Sequence, residues 1–568
     1  MRTFAPPEDG VWELESAHAP RPVSTFGQAP IERAIPRGFR TGTARYGLLL
    51  DTIEVRFVNG FAYTRRIPVG TSPGKPPRAR RPPKLIFQLA LQLNGSVRER
   101  IRISEEAIAK KFWREDLARW DDCVRPEAVR KHLAIQAIDP ARLADAALVE
   151  HIFACREHME EMIATHYGFA IACYLPVGDF IASVQQWTGK SAGEILHALG
   201  GSTRVSLGVA QAELRELVRA LLENIAARAI LDSKDLDPHG ILQRLSATPG
   251  PVGEAMREYL KIISFRCVGY DVSSKYALEL PEALVRALRV AVSEPARDAT
   301  DPEAAIERLR SAVPEAQRAA FDELLAEARH VNRLRDERGH YCDGWATGLT
   351  RRALLEGGRR LFERDLLPNH EQIVDLTGEE IAALLDGARG PSVEEISARA
   401  AWRMTKSVSD SDVPHCLGGE PRKPPPLDWL PKGARRSQLA VFTFLDTLWT
   451  EDTRHSTAAC MKGLPVSPGV YEGVARLVHD EVDFGRIHKG DVLVTRATSP
   501  YFNLVLPLLG AIVTDRGGQL CHAAIVSREY GIPGVVGTRN ATSFIKDGAR
   551  VRVNGDTGEV HLIDPECS

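Results

Sequence analysis

The sequence predicts a multidomain α and α/β protein, with a large, mainly helical region followed by a compact α/β unit in the last hundred residues. Three observations predict it. At 568 residues the chain exceeds one ordinary domain, and two to four units are expected. From about Leu85 to Asp386 apolar residues recur at three- and four-residue spacing with charges between them. Beyond about Lys462, short β-branched segments alternate with glycine-containing turns.

Composition narrows the class. Hydrophobic residues make up 44% and charged residues 26%, which excludes wholesale disorder. Lys+Arg 73 against Asp+Glu 75 leaves a net charge of -2, so the chain is not a general binder of nucleic acid. No apolar run approaches the roughly 20 residues of a membrane span. The start, Met1-Arg2-Thr3-Phe4-Ala5-Pro6-Pro7, has no apolar leader region. Nine cysteines without a Cys-x-x-Cys pair suggest neither a disulfide framework nor a zinc ribbon. The expected location is cytoplasmic, with no membrane partner and no resident metal.

Taken in order, residues 1–69 form a β-containing segment. Tyr46 to Tyr63 is rich in β-branched and aromatic residues, with Asn59-Gly60 at a hairpin turn. Residues 70–84, rich in Pro, Arg and Lys, read as an exposed connector. Gly70 to Pro76 imitates a phosphate loop, but its spacing is too short and its prolines prevent a helix start. Residues 85–415 form the helical domain, with helices expected at 141–162, 210–231, 281–292 and 304–334. A Pro-rich linker occupies 416–461. The α/β unit spans 462–566, with strands at 473–478, 492–495, 511–514, 535–537, 550–553 and 559–563. Two helical segments lie between them, near Tyr501 to Leu509 and Ala523 to Tyr530.

The chemistry concentrates in Thr514 to Thr538. An apolar strand ends at Thr514, Gly517-Gly518 form a turn, and a helix begins near His522. Consecutive glycines let backbone amides converge on an anion, and a following helix adds its positive end. That end disfavours an imidazolium, so His522 should stay neutral and nucleophilic. Arg516 and Arg528 either neutralise a phosphate or anchor the loop. On the plainer reading His522 only caps the helix. A second cluster, Arg335, Asp336, Arg338 and His340, is either a solvated helix face or a site where arginines receive phosphate and Asp336 or His340 takes a proton.

The stretch around His522 resembles the phosphohistidine swivelling domain of the PEP-utilising enzyme family. Thr514, Gly517, Gly518, Cys521, His522, Ala523, Ala524, Ile525, Ser527, Arg528, Glu529, Gly531, Ile532, Pro533, Val535, Val536 and Gly537 fill its pattern. So do Gly463 to Gly469, Gly490 to Val494 and Val553 to Val560. The resemblance implies that His522 is phosphorylated, with Gly517, Gly518, Arg516 and Arg528 supporting the phosphate and Cys521 a small turn residue. More loosely, Trp12 to Ser24, Arg56 to Tyr63, Arg266 to Pro281 and Arg335 to Leu361 resemble the substrate domain of rifampicin phosphotransferase and the phenylphosphate synthase catalytic subunit. This adds Arg266 as a substrate-side candidate; His18, beside Ala19-Pro20-Arg21-Pro22-Val23, is a further one read from the residues themselves. Ser264-Phe265 stand where the rifampicin enzymes carry Gly-His, which argues against rifampicin as the acceptor.

No stretch remains for the ATP-grasp domain of the family. The resemblance therefore implies a phosphotransferase component loaded by a separate ATP-grasp-type protein that holds ATP with Mg2+ or Mn2+. The phosphate would pass from His522 to a hydroxyl of a small organic acceptor. Two alternatives stay open: a phosphorylation-driven dehydratase, and a non-catalytic phosphocarrier or ligand-binding protein.

Overall fold

The computed structural model describes residues 2–16, 19–71, 83–202, 210–293, 302–421, 424–449, 456–457, 460–479, 481–498, 502 and 505–563. His18, most of the 70–84 connector with its phosphate-loop lookalike, and part of the 416–461 linker lie outside the described residues. The chain forms two compact units. One comprises residues 1–179, 270–274 and 341–442; the other comprises 180–269, 275–340 and 443–568.

In the first unit, strands β1 (Trp12–Leu14), β2 (Leu50–Val58), β3 (Phe61–Pro68) and β4 (Cys416–Leu417) form a sheet in the order β2-β3-β1-β4. Asn59 and Gly60, at φ 54° and 85°, make the expected tight turn between β2 and β3, a conformation that suits Asn-Gly. Strand β4 pairs antiparallel with β1, setting Trp12 opposite Leu417. Trp12, Phe61, Tyr63, Val408, Val413 and Leu417 make the local core. Ser24 caps the helix Thr25–Arg45, and its backbone N and hydroxyl both donate to Asp271, at 3.0 and 2.6 Å. The helix expected at 141–162 runs Asp145–Gly168, because Pro140–Arg142 closes a separate 3-10 turn. One long helical stretch, 145–188, contains a window apolar enough to cross a membrane, contrary to expectation; 78% of that window is buried within the fold.

The second unit sets helices against a larger sheet. The run expected at 210–231 breaks at Asn224, whose side chain caps Ile225–Leu231 by accepting from Ala227 N. The run expected at 304–334 breaks at Val313-Pro314 into Glu303–Ala312 and Arg318–Asn332, and Leu334–Arg338 leads into a π-helical turn, Gly339–Asp343. Strands β5 (Cys460–Lys462), β6 (Leu464–Ser467), β7 (Val470–Val478), β8 (Asp491–Thr495), β9 (Leu509–Thr514), β10 (Gly534–Val536), β11 (Arg550–Asn554) and β12 (Glu559–Leu562) follow. Their order is β5-β12-β11-β7-β8-β9-β10-β6, parallel from β7 to β10 and antiparallel elsewhere.

Strands β8 and β9 are buried throughout, as parallel strands covered on both faces are. One face packs Ala523, Ala524 and Val526 together with Val268, Leu280 and Ala283 from the helical part. The helix expected near 501–509 is corrected: among the described residues there is a 3-10 turn, Leu506–Leu508, before β9 begins at Leu509. Pro507 lacks the amide that a longer helix would need.

Candidate active site

The parallel strands β8 and β9 lie side by side, and the loops leaving their C-terminal ends carry the site. After Thr514 the chain turns through Asp515, which accepts from Thr538 Oγ1 at 3.3 Å, Thr542 N at 3.0 Å and Thr542 Oγ1. Gly517 has φ 114°, and a Cβ there would lie 2.7 Å from Cys521 Sγ. The turn therefore demands glycine on both counts. Cys521 is the N-cap of the helix His522–Tyr530, and its side chain makes no capping bond. Burial pushes its thiol pKa up, which keeps it protonated.

His522 is the first residue of that helix and is 8% exposed. Its Nδ1 sits 3.1 Å from Thr498 Oγ1. The tautomer that donates Nδ1–H to this hydroxyl leaves the Nε2 lone pair as nucleophile. Burial first, and the charge of Arg335 second, push the imidazole down to about 3, so it is neutral at ordinary pH.

The second unit brings the Arg335–His340 cluster to this histidine. Arg335 bears electrostatically on Cys521, His522 and Arg528, and its Nη1 is buried without a hydrogen-bond partner in the fold. Asp336, Arg338 and His340 are all buried, which removes the reading of a solvated helix face. Burial raises the Asp336 carboxyl despite Arg335 and Arg338 beside it. Burial, then Arg266 and His522, hold His340 well below the usual imidazole range. Arg266 donates from Nε to Ile262 O at 2.7 Å and from Nη1 to His340 O at 2.5 Å, which fixes the backbone that carries His340.

The expected phosphate-binding set is engaged differently. Arg528 is buried, held down to about 10 chiefly by burial, and donates from both terminal nitrogens to Gln519 O. It anchors the loop, the second of the two roles considered from sequence. The Gly518 amide donates to Leu448 O at 2.9 Å, so it does not converge on an anion in this arrangement. Arg516 is half-buried, with its backbone N donating to Arg496 O and its O accepting from Thr514 Oγ1. Thr498 was not anticipated. Its only sequence signal is a hydroxyl just beyond a strand, and it gains meaning once β8 and β9 are known to be parallel neighbours. Among the described residues no group of three or more His, Cys, Asp or Glu side chains could hold a metal ion.

Residues 487–558 match the model of the PEP-utilising enzyme, mobile domain. The chain is 25% identical to the chondramide synthase of Chondromyces crocatus over 98% of its own length and 14% of that protein. It is 46% identical to a probable phosphoenolpyruvate synthase of Archaeoglobus fulgidus over 18% of this chain and 13% of that one. A rifampicin phosphotransferase of a Streptomyces species is 27% identical over 67% of this chain and 42% of the relative. The chain thus spans less than half the length of each of these curated relatives. With the buried histidine at the head of its helix and the matched residues around it, the chain is a relative of the PEP-utilising enzymes that carries the mobile domain of that family near its C-terminal end.

Proposed function

We propose that the chain is a phosphotransferase component that carries phosphate on His522 to a hydroxyl of a small organic acceptor. The observation that carries this reading is the neutral, buried His522 at a loop–helix junction inside the matched mobile domain, with Arg335 beside it. In the loading step Nε2 attacks phosphorus, an N–P bond forms, and the bond to the donor oxygen breaks. In the second step the acceptor oxygen attacks, the N–P bond breaks, and the hydroxyl proton leaves. Asp336 or His340 would take that proton; burial raises the Asp336 carboxyl and holds His340 well below the usual imidazole range. Arg335 would hold the phosphoryl oxygens in the second step.

The donor in this reading is ATP on a separate ATP-grasp-type protein, which would also hold Mg2+ or Mn2+ to neutralise the triphosphate. Residues 462–566 would move as a body between loading and acceptor sites, with the 416–461 linker as hinge. The setting is cytoplasmic, in keeping with the described cysteines being free thiols.

The test uses β- and γ-labelled ATP, the full chain and a stand-alone nucleotide-binding protein encoded beside it. Label should appear on the chain in acid-labile, base-stable form, and His522→Ala should abolish it. Label persisting in that variant would sink the assignment. The isolated chain should show no ATP binding by calorimetry, and a micromolar site there would overturn the split arrangement.

A further inference from the structure

The loop that presents His522 is gripped by the last turn of a helix outside the α/β sheet. The last described turn of the helix Lys432–Trp449 presents backbone carbonyls, which point toward the negative end of the helix dipole. Two of them find donors in the His522 loop: Gly518 N donates to Leu448 O at 2.9 Å and Leu520 N to Thr447 O at 3.2 Å. The approach is close enough that a Cβ at residue 518 would sit 2.4 Å from Thr447 O and 3.0 Å from Leu448 O. Glycine is required at 518 by this grip.

We propose that this clasp is a phosphate-sensitive latch: the carbonyl end of the helix occupies the Gly518 and Leu520 amides while His522 is unmodified, and a phosphoryl group on His522 displaces it. The inference rests on the reading of His522 as phosphoryl carrier and adds regulation to it. Carbonyls and anion compete for the same donors. Bonds to an anion are roughly twice as strong as neutral ones, and an anion is repelled by a helix C-terminus. Linkage makes the effect reciprocal, so whatever unseats the last turn favours phosphorylation by the same factor.

Phosphoramidate tests this on the full chain without any partner. The Nε2 lone pair attacks phosphorus, the N–P bond forms as the bond to the amide nitrogen of the reagent breaks, and the ring proton ends on the ammonia released. Hydrogen exchange then reads the amides of residues 444–448, 518 and 520. In the phosphorylated chain the amides of residues 444–448 should exchange at least about tenfold faster than in the untreated chain, as expected for losing two neutral hydrogen bonds, while those of 518 and 520 stay protected on the phosphoryl oxygens. Thr447→Pro unseats the last turn without touching His522, and should both expose the two loop amides and raise the equilibrium constant for phosphoryl exchange from phosphoimidazole to His522 by about tenfold. Should that variant fail to fold, Gly518→Ala breaks the clasp from the other side and should expose Thr447 and Leu448 in the same way. Unchanged exchange at 444–448 in the phosphorylated chain overturns the latch. So does a folded Thr447→Pro chain with exposed loop amides and an unaltered equilibrium of phosphoryl exchange at His522. Label that persists in His522→Ala defeats the carrier reading itself, whereas label confined to His522 with unchanged exchange defeats the latch alone.

Discussion

Lowering the pH discriminates sharply between a buried nucleophile and an ordinary surface histidine. An imidazole of pKa near 6.5 is about 3% neutral at pH 5, so its nucleophilic rate should fall roughly thirtyfold between pH 8 and pH 5. His522 is pushed down to about 3 by burial and by Arg335. At that value about 99% of the ring stays neutral at pH 5, and the rate should be flat across the interval. The assay is the initial rate of phosphoramidate labelling at His522, normalised at each pH to the rate per neutral molecule of free imidazole so that only the reagent's own titration cancels. Initial rates are needed because the product is acid-labile. A normalised rate that falls with a midpoint between pH 6 and 7 would show that His522 titrates like a solvated histidine, and the argument from burial and Arg335 would fail.

Four further outcomes follow from the same geometry. Arg335→Leu should raise the His522 pKa toward its ordinary value, seen as a rising midpoint in that profile, while transfer to an acceptor drops because the phosphoryl oxygens lose their cation. Thr498→Val removes the Nδ1 partner and should slow labelling about tenfold, the worth of one buried hydrogen bond, with thermal stability little changed. Gly27→Ala should destabilise the first unit by about 2 kcal/mol in thermal melts, since a Cβ there lies 2.5 Å from Asp271 Oδ1 and forces the Ser24–Asp271 pair apart. Acid should loosen the fold: His158 and His522, held to about 4 and about 3, refuse protons that the unfolded chain accepts below its pKa of about 6.5. Their contribution is complete above pH 6.5 and is lost as pH falls toward those values, by up to about 1.4 kcal/mol per unit for each ring, measurable by denaturant titration.

Much of this was legible in the sequence where local chemistry decides the structure. The Gly517-Gly518 turn, the helix start at His522 and six of the C-terminal strands follow from glycine placement and β-branched runs. Asn59-Gly60 announced its hairpin because few other pairs adopt two positive φ angles cheaply. What stayed hidden depends on partners distant in the chain. Charges at three- and four-residue spacing read alike on a wet helix face and in a buried cluster, so Arg335 to His340 could not be assigned before their burial was seen. Thr498 needed the neighbouring of β8 and β9, and the engagement of the Gly518 amide needed the end of a helix some 70 residues earlier. Strand β6 carries Pro465 at the sheet edge, the place where a missing amide does least harm and where a strand is hardest to recognise.

The pairing of β1 with β4 has a consequence for how the protein is made. Trp12 meets Leu417, so the first sheet cannot be completed until some 400 further residues have left the ribosome. At about 5–20 residues per second, that interval is roughly 20–80 s. Throughout it the free edge of β1 and the aromatic faces of Trp12, Phe61 and Tyr63 lack the Val408, Val413 and Leu417 side chains that later cover them. The nascent chain is therefore most exposed to mispairing at its beginning rather than its end, and slow decoding between β3 and β4 should lower the yield of native protein more than equal slowing beyond β4.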